Sequence, residues 1–183
     1  MIEGIILSCF IGAVSAPWLH RFFSKAAGVF LAFIPAVAFA AVLLAQSGSG
    51  SLTSASGYFS VDGFSALFAL LVSGIGTLIL FYTQGYLHNE AFLGRFLLCL
   101  MAFMGSMLGL VFSNHLLMLF IFWELTSFTS YLLIGFNHED SRAREAALRA
   151  MLVTVSGGLV LLAGLLLMVE ASGTWYLLSL IHI

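Results

Sequence analysis

Residues Leu116–Phe136 read LLMLFIFWELTSFTSYLLIGF, 21 residues with a single ionisable side chain, Glu124. A helix that crosses about 30 Å of hydrocarbon needs about 20 mostly apolar residues, so this run predicts a membrane span. Working outward, Ile2–Leu19, Ala26–Ala45, Gly63–Tyr82, Phe96–Phe112 and Ala150–Val169 read the same way. The runs are continuous and about twice the ~10-residue alternating strands of an outer-membrane barrel, so helices are expected. Composition agrees: 62% of the 183 residues are hydrophobic and 8% charged, against roughly 45–50% and 25% in a soluble domain. The expectation is an all-α polytopic bundle of six transmembrane helices, forming one membrane domain over residues 1–183.

The charges set its orientation. Arg21 and Lys25 fall between spans one and two, Arg95 before span four, and Arg142, Arg144 and Arg149 before span six. All six basic residues thus lie on one side, and none lies in the Gly/Ser-rich loop 46–60 or the turn Ser113–His115. The positive-inside rule puts the basic side in the cytoplasm and the N-terminus outside. Trp18 and Trp175 fall at expected interfaces. Glu3 precedes the first apolar run where a cleaved signal carries Lys or Arg, so that run is expected to stay on the mature protein. A net charge of −2 excludes a nucleic-acid partner held by a basic field. Cys9 and Cys99 sit inside apolar runs, too far apart for a C-x-x-C metal site, and read as small packing residues. Pro35 is expected to kink span two. Ser73-Gly74-Ile75-Gly76-Thr77 and Ser156-Gly157-Gly158 read as close helix packing. The tail 174–183 is too short to cross, so it is a re-entrant piece or the start of a further span.

Glu124 stands out. It is the ninth residue of its span, roughly 12 Å from the outer end at 1.5 Å per residue. An ionisable group at that depth costs roughly 2.5–3.5 kcal/mol on insertion scales. Ser127 and Tyr131 share its helix face, while Phe122, Leu125 and Thr129 lie opposite. The stripe suggests a polar path, although membrane Ser and Thr commonly bond their own i−4 carbonyls. A carboxyl in hydrocarbon rests neutral and ionises beside a cation or water, so it can carry a proton or exchange it for a hard cation such as Na⁺. The single lysine, Lys25, is in a loop, so a buried counter-charge would come from elsewhere. His138, in Asn137-His138-Glu139-Asp140 at the cytoplasmic mouth of the same helix, reads either as a solvated loop residue or as a group that passes protons. Asp62 reads as a helix cap. His20, His88, His115 and His182 lie at span ends, which does not suit haem b ligation. Glu3, Glu90, Glu145 and Glu170 read as interfacial.

Three stretches carry a resemblance: Asp62–Tyr86, DGFSALFALLVSGIGTLILFYTQGY; Leu119–Phe136, LFIFWELTSFTSYLLIGF; and Leu152–Gly164, LVTVSGGLVLLAG. Together they resemble the large A subunit of Mrp-type multisubunit Na⁺/H⁺ antiporters, homologous to the antiporter-like subunits of respiratory complex I. The resemblance implies that Glu124 corresponds to the family's essential glutamate on the fifth transmembrane helix. It implies a partner lysine on a later helix, a core of inverted five-helix repeats, and a chain that is an N-terminal piece of a longer protein. It also implies a cell-membrane location, assembly with other membrane subunits in the lipid bilayer, Na⁺ and H⁺ as transported ions, and no redox cofactor of its own. Alternatives are a proton-pumping subunit of complex I or a hydrogenase complex, and a non-transporting scaffold.

Overall fold

A computed structural model describes residues 1–23, 26–46, 52–86, 93–137 and 139–180. Its elements are α1 (Ile2–Phe22), α2 (Ala27–Gln46), β1 (Leu52–Thr53), β2 (Ser60–Val61), α3 (Gly63–Tyr86), α4 (Leu93–Phe112), α5 (Leu116–Ile134), α6 (Ser141–Ser172) and α7 (Leu177–Leu180). Six of these helices are long and apolar enough to cross a membrane. Lys25, His88, Glu90, His138 and His182 lie outside the described residues.

α4 is the core of the bundle and packs against α1, α3 and α5, while α2 joins α1 to α3 and α6 lies against α5. Leu97, Met101, Leu108 and Phe112 of α4 are fully buried. Small residues allow this closeness, because lipid supplies no hydrophobic force between helices. A Cβ on Gly76 would overlap Met104, and one on Gly109 would overlap the Phe122 ring. The packing role expected for the Gly74–Gly76 stretch therefore holds. Ser73 and Thr77 turn their hydroxyls back to Ala69 O and Ser73 O, at 2.6 and 2.7 Å. α2 continues through Pro35 as one helix.

The basic end of the bundle is joined by contacts between helix ends. Gly94 meets Pro17 and His20, Arg95 Nη2 donates to Phe136 O at 3.4 Å, and Gly135 faces Ala147. Arg21, Arg95, Arg142, Arg144 and Arg149 therefore gather at one end, which faces the cytoplasm by the positive-inside rule. At the opposite end, Ser54 and Ser56 each donate to Glu3 Oε1 at 2.6 Å. Trp18 is 72% exposed near the basic end of α1.

Several helices have limits other than those of the expected spans. α4 begins at Leu93 and α5 ends at Ile134. α6 begins nine residues before the expected Ala150, so Arg142, Arg144 and Arg149 are helical rather than in a loop. Ala, Arg and Glu are strong helix formers, and Asp140 caps this helix by accepting from Arg142 N at 2.9 Å. The loop 46–60 carries half of a small hairpin, in which Leu52 pairs with Val61 and Gly57 turns at φ +74.

Past α6, Gly173 adopts φ +70 and the chain turns back. Leu116 N donates to Trp175 O at 2.9 Å and Leu177 N to Asn114 O at 2.7 Å. The His115 ring stacks on Trp175 at 5.8 Å and meets Tyr58 and Tyr176 edge-on. The described part of the tail is thus clasped to the outer end of α5.

Asp62 is the cap the sequence suggests. Its Oδ1 accepts from Ser65 N at 2.7 Å while Ser65 Oγ accepts from Asp62 N at 2.8 Å. The Ser65 backbone N–H, then its hydroxyl, hold the Asp62 carboxyl below its usual range. A lowered folded value stabilises above the unfolded pKa of about 3.9 and is lost as pH falls through the folded value. Asp62→Ala is expected to cost about 0.5–2 kcal/mol at neutral pH. Thermal melts of the wild type and variant should converge at strongly acidic pH.

Candidate functional site

α5 is capped at its start by His115, whose Nδ1 accepts from Leu117 N at 3.3 Å, and at its end by Gly135. Phe122 and Thr129 point to the α4 side: Phe122 fills the space at Gly109, 6.0 Å from the Phe59 ring, and Thr129 is buried with its hydroxyl on Leu125 O at 2.8 Å. With these bulky and capped groups against α4, Glu124 is turned toward α6. Its side chain is half-buried, yet Oε1 is out of reach of solvent and has no hydrogen-bond partner among the described residues.

What meets that oxygen is Gly158 of α6. A Cβ built there would overlap Glu124 Oε1, lie 3.1 Å from Cδ, and sit 3.7 Å from Trp123 Cδ1. Gly158 shares a buried stripe with Ala147 and Leu165. Of the stretch Ser156-Gly157-Gly158, read as close packing, Gly158 is the glycine that meets α5, where it accommodates the carboxyl, whereas a Cβ on Gly157 would meet nothing within 4 Å.

The other candidates separate. Ser127 Oγ donates to Trp123 O at 3.2 Å, so its proton serves its own helix. Tyr131, one α5 stripe further on and about 10 Å along the axis, lines a cleft of about 430 Å³ with Arg95, Cys99, Leu132 and Arg144. The cleft opens at the cytoplasmic end between α4, α5 and α6. The geometry brings Glu124 to Gly158 and Tyr131 to two arginines, and joins neither pair to the other. Gly158 and the arginines were missed as site residues; a Gly-Gly pair in an otherwise bulky span was the available signal for the first.

Two family models match the chain. One, described as NADH:quinone oxidoreductase/Mrp antiporter, TM, matches residues 113–183. The other, NADH-Ubiquinone oxidoreductase (complex I), chain 5 N-terminus, matches residues 49–97. A Na(+)/H(+) antiporter subunit A1 of Staphylococcus haemolyticus (strain JCSC1435) is 40% identical over 184 residues, covering 93% of this chain and 23% of that protein. The chain belongs to the Mrp antiporter and complex I family of membrane subunits.

A second subunit A1, from Staphylococcus aureus, is 39% identical over 171 residues, with 86% of this chain and 21% of that protein covered. The chain therefore spans less than a quarter of the length of these curated relatives. Among solved structures, a chain of the Mrp complex from Dietzia sp. DQ12-45-1b superposes with a TM-score of 0.81 at 29% identity, over 96% of this chain and 20% of that one. A chain of the membrane-bound sulfane sulfur reductase, an archaeal respiratory membrane complex, superposes at 0.82 with 20% identity, over 98% of this chain and 39% of that one. That second likeness shows the fold alone. The family's multi-pass membrane architecture is thus the architecture found here.

Proposed function

We propose that this chain is an ion-translocating part of a multisubunit Na⁺/H⁺ antiporter in the cell membrane, a secondary transporter rather than an enzyme. The observation that carries the reading is the 40% identity to a Na⁺/H⁺ antiporter subunit A1 along 93% of the chain. Glu124 is the proton and cation carrier. Its carboxyl holds a proton when neutral and offers two hard oxygens to Na⁺ when ionised, so the site exchanges one monovalent cation for another. Tyr131 and His138 pass protons between Glu124 and the cytoplasm, and Ser127 shares the Glu124 face of α5. The switchable counter-charge and the remaining membrane subunits come from the assembly around this chain.

The test uses everted vesicles bearing the full assembly and an imposed proton gradient. Addition of Na⁺ should discharge the gradient without any electron donor. A gradient that builds only on supplying a reductant, and ignores Na⁺, would instead place the chain in a redox-linked pump.

A further inference from the structure

The geometry points to Gly158 as a positioning residue for Glu124: the missing side chain on α6 is the seat of the carboxyl, and its size sets where the carrier rests. This rests on the reading of Glu124 above and adds a second residue, on a different helix, to that site.

α5 and α6 run antiparallel, and two contacts fix their register: Gly135 with Ala147, and Glu124 with Gly158. Each pair is 11 residues from the other on its own helix, so the same stripe of each helix stays in contact over about 16 Å. Glu124 therefore meets α6 at one defined level, and the residue at that level is the one with no side chain. The methyl of an alanine there would overlap Oε1, the free end of the Glu124 side chain, so the carboxyl would have to move to another place.

The seat offers room, and Oε1 receives no hydrogen bond in it among the described residues. Thr126 and Ser127 give their hydroxyl protons to Trp123 O, Thr154 gives its proton to Ala150 O, and Ser156 gives its own to Leu152 O. Backbone N–H groups inside a helix already serve their i−4 carbonyls. The nearby hydroxyls are thus committed to their own helices, and the Trp123 indole beside the seat makes no bond to Oε1 either. Buried polar atoms are almost always hydrogen-bonded in native proteins, and exceptions concentrate where function needs them. Gly158 thereby sets where the carboxyl rests.

The experiment compares Gly158→Ala with Gly157→Ala in the full assembly. Gly158→Ala should lower Na⁺-driven proton exchange about tenfold or more at unchanged assembly, since ångström-scale misplacement of a reacting group costs up to 10²-fold. Gly157→Ala adds the same methyl to the same helix where this chain leaves open space, and should stay near wild type. Glu124→Asp shortens the carrier by one methylene, so Gly158→Ala/Glu124→Asp should exchange faster than the product of the two single defects allows. Equal loss at both glycines, or defects that simply multiply, would overturn the proposal.

A second readout does not depend on transport. Dicyclohexylcarbodiimide adds the O–H of a carboxylic acid across its C=N bond, and the modified Glu124 peptide is counted by mass spectrometry. Expelling the carboxyl from its seat should speed labelling several-fold in Gly158→Ala and not in Gly157→Ala; identical rates would overturn the proposal. Wild-type vesicles without Na⁺-driven exchange would refute the antiporter reading, and the labelling comparison would still decide the role of Gly158.

Discussion

Glu124→Gln is expected to lower Na⁺-driven proton movement about hundredfold or more in vesicles bearing the full assembly, equivalent to about 2.7 kcal/mol on the barrier. The substitution keeps the shape and removes the exchangeable proton. Oε1 already lies against Gly158 without a hydrogen bond, so an amide oxygen there loses no contact and the assembly should form in normal amount. Glu124→Asp should be intermediate, because it retains the proton but withdraws the oxygens from α6. The measurement is the rate of gradient discharge per assembled complex after a Na⁺ pulse. Wild-type rates in the glutamine variant would reduce this helix to a scaffold.

The largest structural effect is expected at Gly109. The Phe122 ring occupies the place of a Cβ there, and Phe122 lies two residues before Glu124 on the opposite side of α5. Gly109→Val should destabilise the bundle by about 1–3 kcal/mol through overpacking, read as a lower midpoint in thermal melts of the purified assembly. It should also impair exchange, since pushing Phe122 away from α4 rotates or shifts the helix that presents the carboxyl. Gly109→Val/Phe122→Leu should recover part of both losses, because contacting residues couple where distant ones add. An unchanged melting midpoint in Gly109→Val would show that α4 and α5 do not meet through this pair.

The six helices were legible because lipid demands long apolar runs and tolerates little else. Their ends were less so. Hydropathy marks the thickness of the slab rather than the length of the helix, and the stretch Arg142–Arg149 is helical and polar at once. The β1–β2 hairpin gave no signal, since its Ser- and Gly-rich sequence lacks the alternation of a strand. At the site, the depth of Glu124 could be counted along one helix, and so could the stripe shared with Ser127 and Tyr131. The meeting with Gly158 could not, because it depends on the register between two helices 34 residues apart at that level. For the same reason the grouping of Tyr131 with Arg95 and Arg144, drawn from three helices, was invisible to any single-helix projection.

The backbone bonds between Leu116 and Trp175, and between Asn114 and Leu177, act like the pin of a pair of tongs. With the outer tips of α5 and α6 held there, any rocking of one against the other must swing widest at the inner tips, where Arg95 and Arg144 flank Tyr131. Spin-label distances across the two helices should accordingly broaden from the outer tip inward as Na⁺ and pH are varied. A tilt of a few degrees would then widen the inner jaws while barely stretching the pin, with the Glu124 carboxyl at an intermediate leverage.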